Sequence, residues 1–184
     1  MRKLSKLKAS GLTFLLLAVF VMATMFIPAV DAYVYNGYKW TSGSASWRFS
    51  TTFPSGYTQS VQNAASTWNN AGSSFGFNYI WYELYNKFDW ADLGSGSTLG
   101  STTVWYSGSS ISQAVTTLNS QKSWTTSPGS YPPYDVETVS LHEFGHWLSL
   151  GHSSSSSAVM YAYYTGTKRS LTQDDINGIK YIYP

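Results

Sequence analysis

HEFGHWLSLGH, residues 142–152, holds all three histidines of the 184-residue chain, and the rest of the sequence reads outward from it. His142 and His146 are four residues apart. On a helix they lie about 40° apart around the axis and about 6 Å apart along it, so both rings reach one ion. Glu143, beside the first histidine, can address a water on that ion. Such a short string recurs by chance. His152, six residues after His146 and just past Gly151, supplies a third neutral imidazole and makes chance a poor explanation. Three imidazoles with a fourth position open are the ligand set of a catalytic zinc centre, whereas a closed structural centre takes a fourth protein ligand. No fourth candidate stands at convincing spacing, and there is no cysteine.

The flanking sequence builds a helix around this string. Asp135 can cap it, and Val136, Val139, Leu141, Phe144 and Leu148 place apolar groups on more than one side, which marks a buried helix. Downstream, Ser153–Ser157 carries no packing signal. Thr172 then opens a last helix with Asp175 at capping-box spacing, and Ile176, Ile179 and Tyr183 mark its apolar face. Upstream, residues 46–52 alternate as a strand, and 57–71 carry Val61, Ala64, Ala65 and Trp68 at helical spacing. Residues 75–82 read as a buried strand and 99–106 (LGSTTVWY) as another, with 111–119 a weaker candidate. Residues 86–100 and 123–133 read as loops. The order predicts an α+β fold, a twisted mixed β-sheet packed on helices with the zinc site on the central helix.

Composition sets the compartment. Arg2, Lys3, Lys6 and Lys8 precede an apolar stretch from Leu12 to Ile27, and Val30-Asp31-Ala32 fits a cleavage site. Residues 1–32 therefore read as a secretory signal. An uncleaved anchor is the alternative, although the stretch is short for a span of about 20 residues. The remainder, 33–184, suits one catalytic domain. Its seven Lys and Arg face eight Asp and Glu, so no basic surface points to nucleic acid. The expectation is a secreted, extracellular monomer with no stable membrane association once the signal is removed.

The zinc string, AVMY at 158–161 and SLTQDDINGIKYIY at 170–183 together resemble the matrixins, the matrix metalloproteinase-type zinc peptidases of the metzincin clan, most of all small bacterial secreted members. The likeness is specific from residue 135 to 183 and looser before. It implies a metzincin-like catalytic domain, one catalytic zinc held by His142, His146 and His152, and Glu143 as general base. It makes Met160 the methionine of the turn beneath the metal. Tyr161 and Tyr164 become walls of the pocket for the side chain after the scissile bond, and Asp174 and Asp175 supports of that turn and of the N-terminus. LGSTTVWY resembles the edge strand along which substrates are bound. Local explanations also exist: a methionine fills cores, tyrosines pack, and acids favour a helix N-terminus.

Three departures accompany the likeness. The family glycine three residues after the second histidine is Ser149 here. If that residue needs φ > 0, serine costs about 1 kcal/mol; if the turn has shifted, Gly151 supplies the angle. A second, structural zinc has no histidines left to hold it, and for calcium only Asp89 and Asp92 offer themselves. The family's pro-segment with its inhibitory cysteine has no counterpart, so activity on folding with zinc is the expectation. The implied function is a zinc metalloendopeptidase acting on extended segments of proteins or peptides. An aromatic-rich binding module with a stabilising metal, and a zinc hydrolase of non-peptide substrates, are the other readings. Glu143 argues against the first, because a structural zinc site needs no carboxylate beside its ligands.

Overall fold

The computed structural model describes residues 32–83, 85–129 and 131–184. Apart from Ala32, the segment read as a secretory signal lies outside the described residues. The elements follow as β1 (Val34–Tyr35), β2 (Ser44–Phe49), α1 (Thr58–Asn69), β3 (Gly76–Tyr79), β4 (Lys87–Ala91), β5 (Gly100–Ser107), β6 (Ser110–Asn119), β7 (Trp124–Thr125), β8 (Tyr134–Asp135), α2 (Val136–Trp147), β9 (Leu150–Gly151) and α3 (Gln173–Ile182). Five strands make one sheet in the order β3-β2-β4-β6-β5. Only β5 runs antiparallel within it. Two small pairs, β1 with β9 and β7 with β8, brace the ends of α2. The α+β fold with a mixed sheet and a central helix is as the sequence pattern predicts.

Apolar spacing explains how the layers meet. On β2, Ala45 and Trp47 alternate inward. On α1, Val61, Ala64, Ala65 and Trp68 form one buried face, and the Trp68 indole N–H donates to the Leu141 carbonyl at 2.8 Å, tying α1 to α2. Phe144 of α2 presses onto the sheet, its ring centroid 5.2, 4.6 and 4.5 Å from those of Trp47, Phe77 and Phe88. Such aromatic groups bury about 150–250 Å² each and dominate core energetics. The first half of the zinc string therefore lies on a deeply buried helix, with ten of its twelve residues buried.

Several local expectations are corrected. Residues 87–91 are not loop but β4, paired with both β2 and β6. Phe88 is fully buried, but the strand is short and the acids and glycines around it mask its alternation. The weak candidate at 111–119 is a ten-residue interior strand, β6. Conversely, β3 is an edge strand of four residues rather than a buried one, and Trp81 and Tyr82 beyond it are exposed. The loop at 123–133 contains β7. The serine run does carry structure: buried Ser153 donates through its hydroxyl to Asp174 Oδ2 at 2.7 Å. No helix among the described residues is long and apolar enough to cross a membrane.

Candidate metal centre

Helix α2 begins where Asp135 accepts the Thr138 N–H at 2.8 Å, and it ends at Trp147. Ser149, two residues on, has φ of +70°. Gly151 is not among the residues of positive φ, so the family-like turn is kept and serine occupies its left-handed position. This reversal sends the chain through β9 to His152. His142 and His146 then stand with Nε2 atoms 3.1 Å apart. The His152 ring centroid is 5.2 Å from that of His142 and 5.0 Å from that of His146. One ligand atom from each lies within 4.8 Å of the others. Among the described residues these three form the one such group of three or more His, Cys, Asp or Glu side chains.

The donor set fits zinc. His142 Nδ1 donates to the Val159 carbonyl and His146 Nδ1 to the Leu150 carbonyl, each at 2.8 Å. A carbonyl only accepts, so each bond fixes the proton on Nδ1 and turns the Nε2 lone pair towards the metal position. Burial lowers both imidazole pKa values to about 4, which keeps the rings neutral and ready to ligate.

Glu143 is buried, and desolvation raises its pKa; the nearby His146 and a hydrogen bond from Thr102 pull the other way. The Thr102 hydroxyl donates to Oε2 at 2.6 Å. Met160 is buried with its sulfur against Gly145, where an added Cβ would clash with Sδ. The turn at Val159–Met160 is held by Asp175, which accepts their N–H groups at 3.0 and 3.1 Å. Asp174 accepts the N–H groups of Ala32 and Tyr33 at 2.6 and 2.9 Å. Tyr161 and Tyr164 both line a cleft of about 680 Å³ that also exposes the three histidines, Glu143 and residues 99–102. Tyr164 also packs edge-on to Tyr131 and Tyr134.

Sequence reasoning missed Thr102, Tyr131, Tyr134 and Val139 as cleft residues. For Thr102 a signal existed, because period-two alternation puts it on the same face of β5 as Gly100 and Val104. Asp89 and Asp92 are not brought to the centre. Asp89 pairs with Lys87 at 2.8 Å, and Asp92 accepts the Gly94 N–H at 2.6 Å and the Gln121 amide at 3.1 Å.

An α+β domain with three histidines gathered from its central helix and the following turn is the zinc-site arrangement of the metzincin class. Sequence comparison narrows the class: the matrixin family model matches residues 39–184, and the chain belongs to that family. It is similar to metalloendoproteinase 2-MMP of Arabidopsis thaliana, with 51% identity over 51 residues, 27% of this chain and 14% of that protein. Karilysin of Tannerella forsythia is 51% identical over 49 residues, 27% of this chain and 10% of the relative. Human neutrophil collagenase is 41% identical over 69 residues, 36% of this chain and 14% of the relative. The matched segments thus span a small part of these relatives' length.

Proposed function

We propose that the chain is a secreted zinc-dependent endopeptidase that cleaves extended protein or peptide segments, with Glu143 as general base. The observation that carries this reading is the convergence of His142, His146 and His152 on one point, with the Glu143 carboxylate facing the same cleft. A zinc ion bound there acidifies water and polarises a scissile carbonyl. Glu143 takes the proton of the attacking water and returns it to the leaving amine. Burial raises the basicity of its carboxylate, which suits that exchange. Met160 and the turn held by Asp175 support the ligands from below.

Substrate binds along β5, the last strand of its sheet, whose residues 100–102 border the cleft. Tyr161 and Tyr164 wall the pocket for the residue after the cleaved bond, so an apolar side chain is preferred there. Residues 1–32 act as the secretory signal and 33–184 as the catalytic domain. Cleavage after Ala32 leaves the Tyr33 amine beside Asp174, whose Oδ1 lies 2.9 Å from that nitrogen. All ligands come from one chain, which is consistent with a monomer.

The test pairs a variant with a cleavage profile. Glu143→Ala is expected to keep one zinc and lose hydrolysis at least a hundredfold, within the usual range of about 10²–10⁴ for a general base. Wild-type protein on a mixed peptide library is expected to select apolar residues after the cut. Near-normal turnover by the zinc-loaded variant contradicts the mechanism, and selection of charged residues contradicts the pocket.

A further inference from the structure

The carboxylate of Glu143 is held from the edge strand by Thr102, which lies outside the zinc string. Thr102 on β5 and Thr116 on β6 are register partners with hydroxyl oxygens 2.6 Å apart. The Trp147 indole N–H donates to Thr116 Oγ1 at 2.8 Å. Thr102 Oγ1 lies 2.6 Å from Glu143 Oε2 and, at the limit of a hydrogen bond, 3.5 Å from the Glu143 carbonyl. Trp147 and Glu143 are four residues apart on α2 and share a face. The path therefore leaves the helix, crosses two strands and returns to the same helix one turn earlier.

The proton directions follow from chemistry. An indole N–H only donates, an ionised carboxylate only accepts, and a hydroxyl carries one proton. Thr116 thus accepts from Trp147 and donates to Thr102, and Thr102 donates to Glu143. Trp147 and Thr116 are fully buried, so water does not compete along this stretch, and hydrogen bonds in series reinforce one another. The other carboxylate oxygen is confined by a different device. A Cβ on Gly100, two residues before Thr102 on the same strand face, would come within 2.7 Å of Oε1. Gly100 leaves the space and Thr102 fixes the orientation.

We propose that the chain Trp147–Thr116–Thr102 orients the Glu143 carboxylate for proton transfer, with Thr102 as its positioning residue. This rests on Glu143 being the base. The alternative is a purely structural pair of threonines that satisfies the Trp147 indole. Thr102→Val keeps shape and leaves Thr116 to accept from Trp147, but removes the proton given to Glu143. Thr102→Ser keeps that proton.

Zinc content, thermal midpoint and kcat and KM on one fluorogenic peptide are measured for wild type, Thr102→Val, Thr102→Ser and Glu143→Ala. Thr102→Val is expected to keep one zinc and lower kcat about tenfold, with KM within about twofold, as for an interaction that matters in the transition state. Thr102→Ser is expected to recover most of the loss. A Thr102→Val enzyme with wild-type kcat, beside an inactive Glu143→Ala, overturns the positioning role and leaves the base in place. Equal losses in the valine and serine variants, or a loss in KM alone, also overturn it. An active, zinc-loaded Glu143→Ala overturns the base and the positioning role together. If Thr102→Val does not fold, Gly100→Ala presses on the carboxylate from its other side. A fall in kcat at constant KM supports the proposal, and an unchanged kcat refutes it.

Discussion

Ser149 spends free energy on geometry. It is the one non-glycine residue of positive φ among the described residues, and it is fully buried. Its hydroxyl has no hydrogen-bond partner. The left-handed conformation costs serine about 1 kcal/mol, and an unsatisfied buried hydroxyl adds to that. Ser149→Gly is therefore expected to stabilise the zinc-loaded protein by about 1 kcal/mol, read as a raised thermal midpoint, without loss of activity. Gly151→Ala is expected to destabilise it for another reason: its Cβ would stand 3.0 Å from Asn36 Oδ1 and 3.1 Å from Val34 on β1. A lower midpoint for Ser149→Gly would contradict the strain. At this scale the histidines and Glu143 are legible in the sequence because their chemistry sits within eleven residues. The alternation of β5 shows which face Thr102 is on, but its contact with Glu143 is not legible, because the two lie some forty positions apart and only the packing of a strand edge on a helix brings them together.

At the scale of elements, Asp135 decides how α2 is anchored. Its Oδ1 accepts the Thr138 N–H and hydroxyl, and Arg169 Nη2 meets Oδ2 at 2.5 Å. Burial pushes the carboxyl pKa up, but the bonds from Arg169 and Thr138 outweigh it and hold the pKa below its ordinary value. Asp135→Ala removes the cap and the ion pair with Arg169, which keeps Glu137 and the Thr126 carbonyl as partners, at a cost of about 1–2 kcal/mol. A carboxyl with a lowered folded pKa stabilises fully above the unfolded value of about 4 and loses that contribution as pH falls through the folded value. Urea unfolding should therefore show a gap between wild type and Asp135→Ala at pH 7 that narrows below about pH 4. A gap independent of pH would mean that packing, not the charge, is lost. The cap at Asp135 and the capping box at Thr172 are readable because caps are local. The strand β4 is not, because five residues carry too short an alternation and its burial comes from neighbours on both sides.

At the scale of the molecule, α2 packs against the sheet and α1 with the small β pairs at its ends, and α3 ties residues 32–33 to the site. Asp175 holds the turn beneath the histidines while Asp174 holds Ala32 and Tyr33. The α+β class follows from the order of elements, but the strand order β3-β2-β4-β6-β5 depends on parallel pairings between distant segments, which no local pattern encodes. On the proposed reading, one zinc held by His142, His146 and His152 makes this domain a peptidase. The most direct measurement strips the purified protein with a chelator and titrates zinc back while following peptide hydrolysis. Hydrolysis should vanish on stripping and return in full at one equivalent of zinc per chain in wild type, with no return in His146→Ala. Hydrolysis that persists in the metal-free protein, or zinc-loaded wild type that cleaves no peptide, would contradict it.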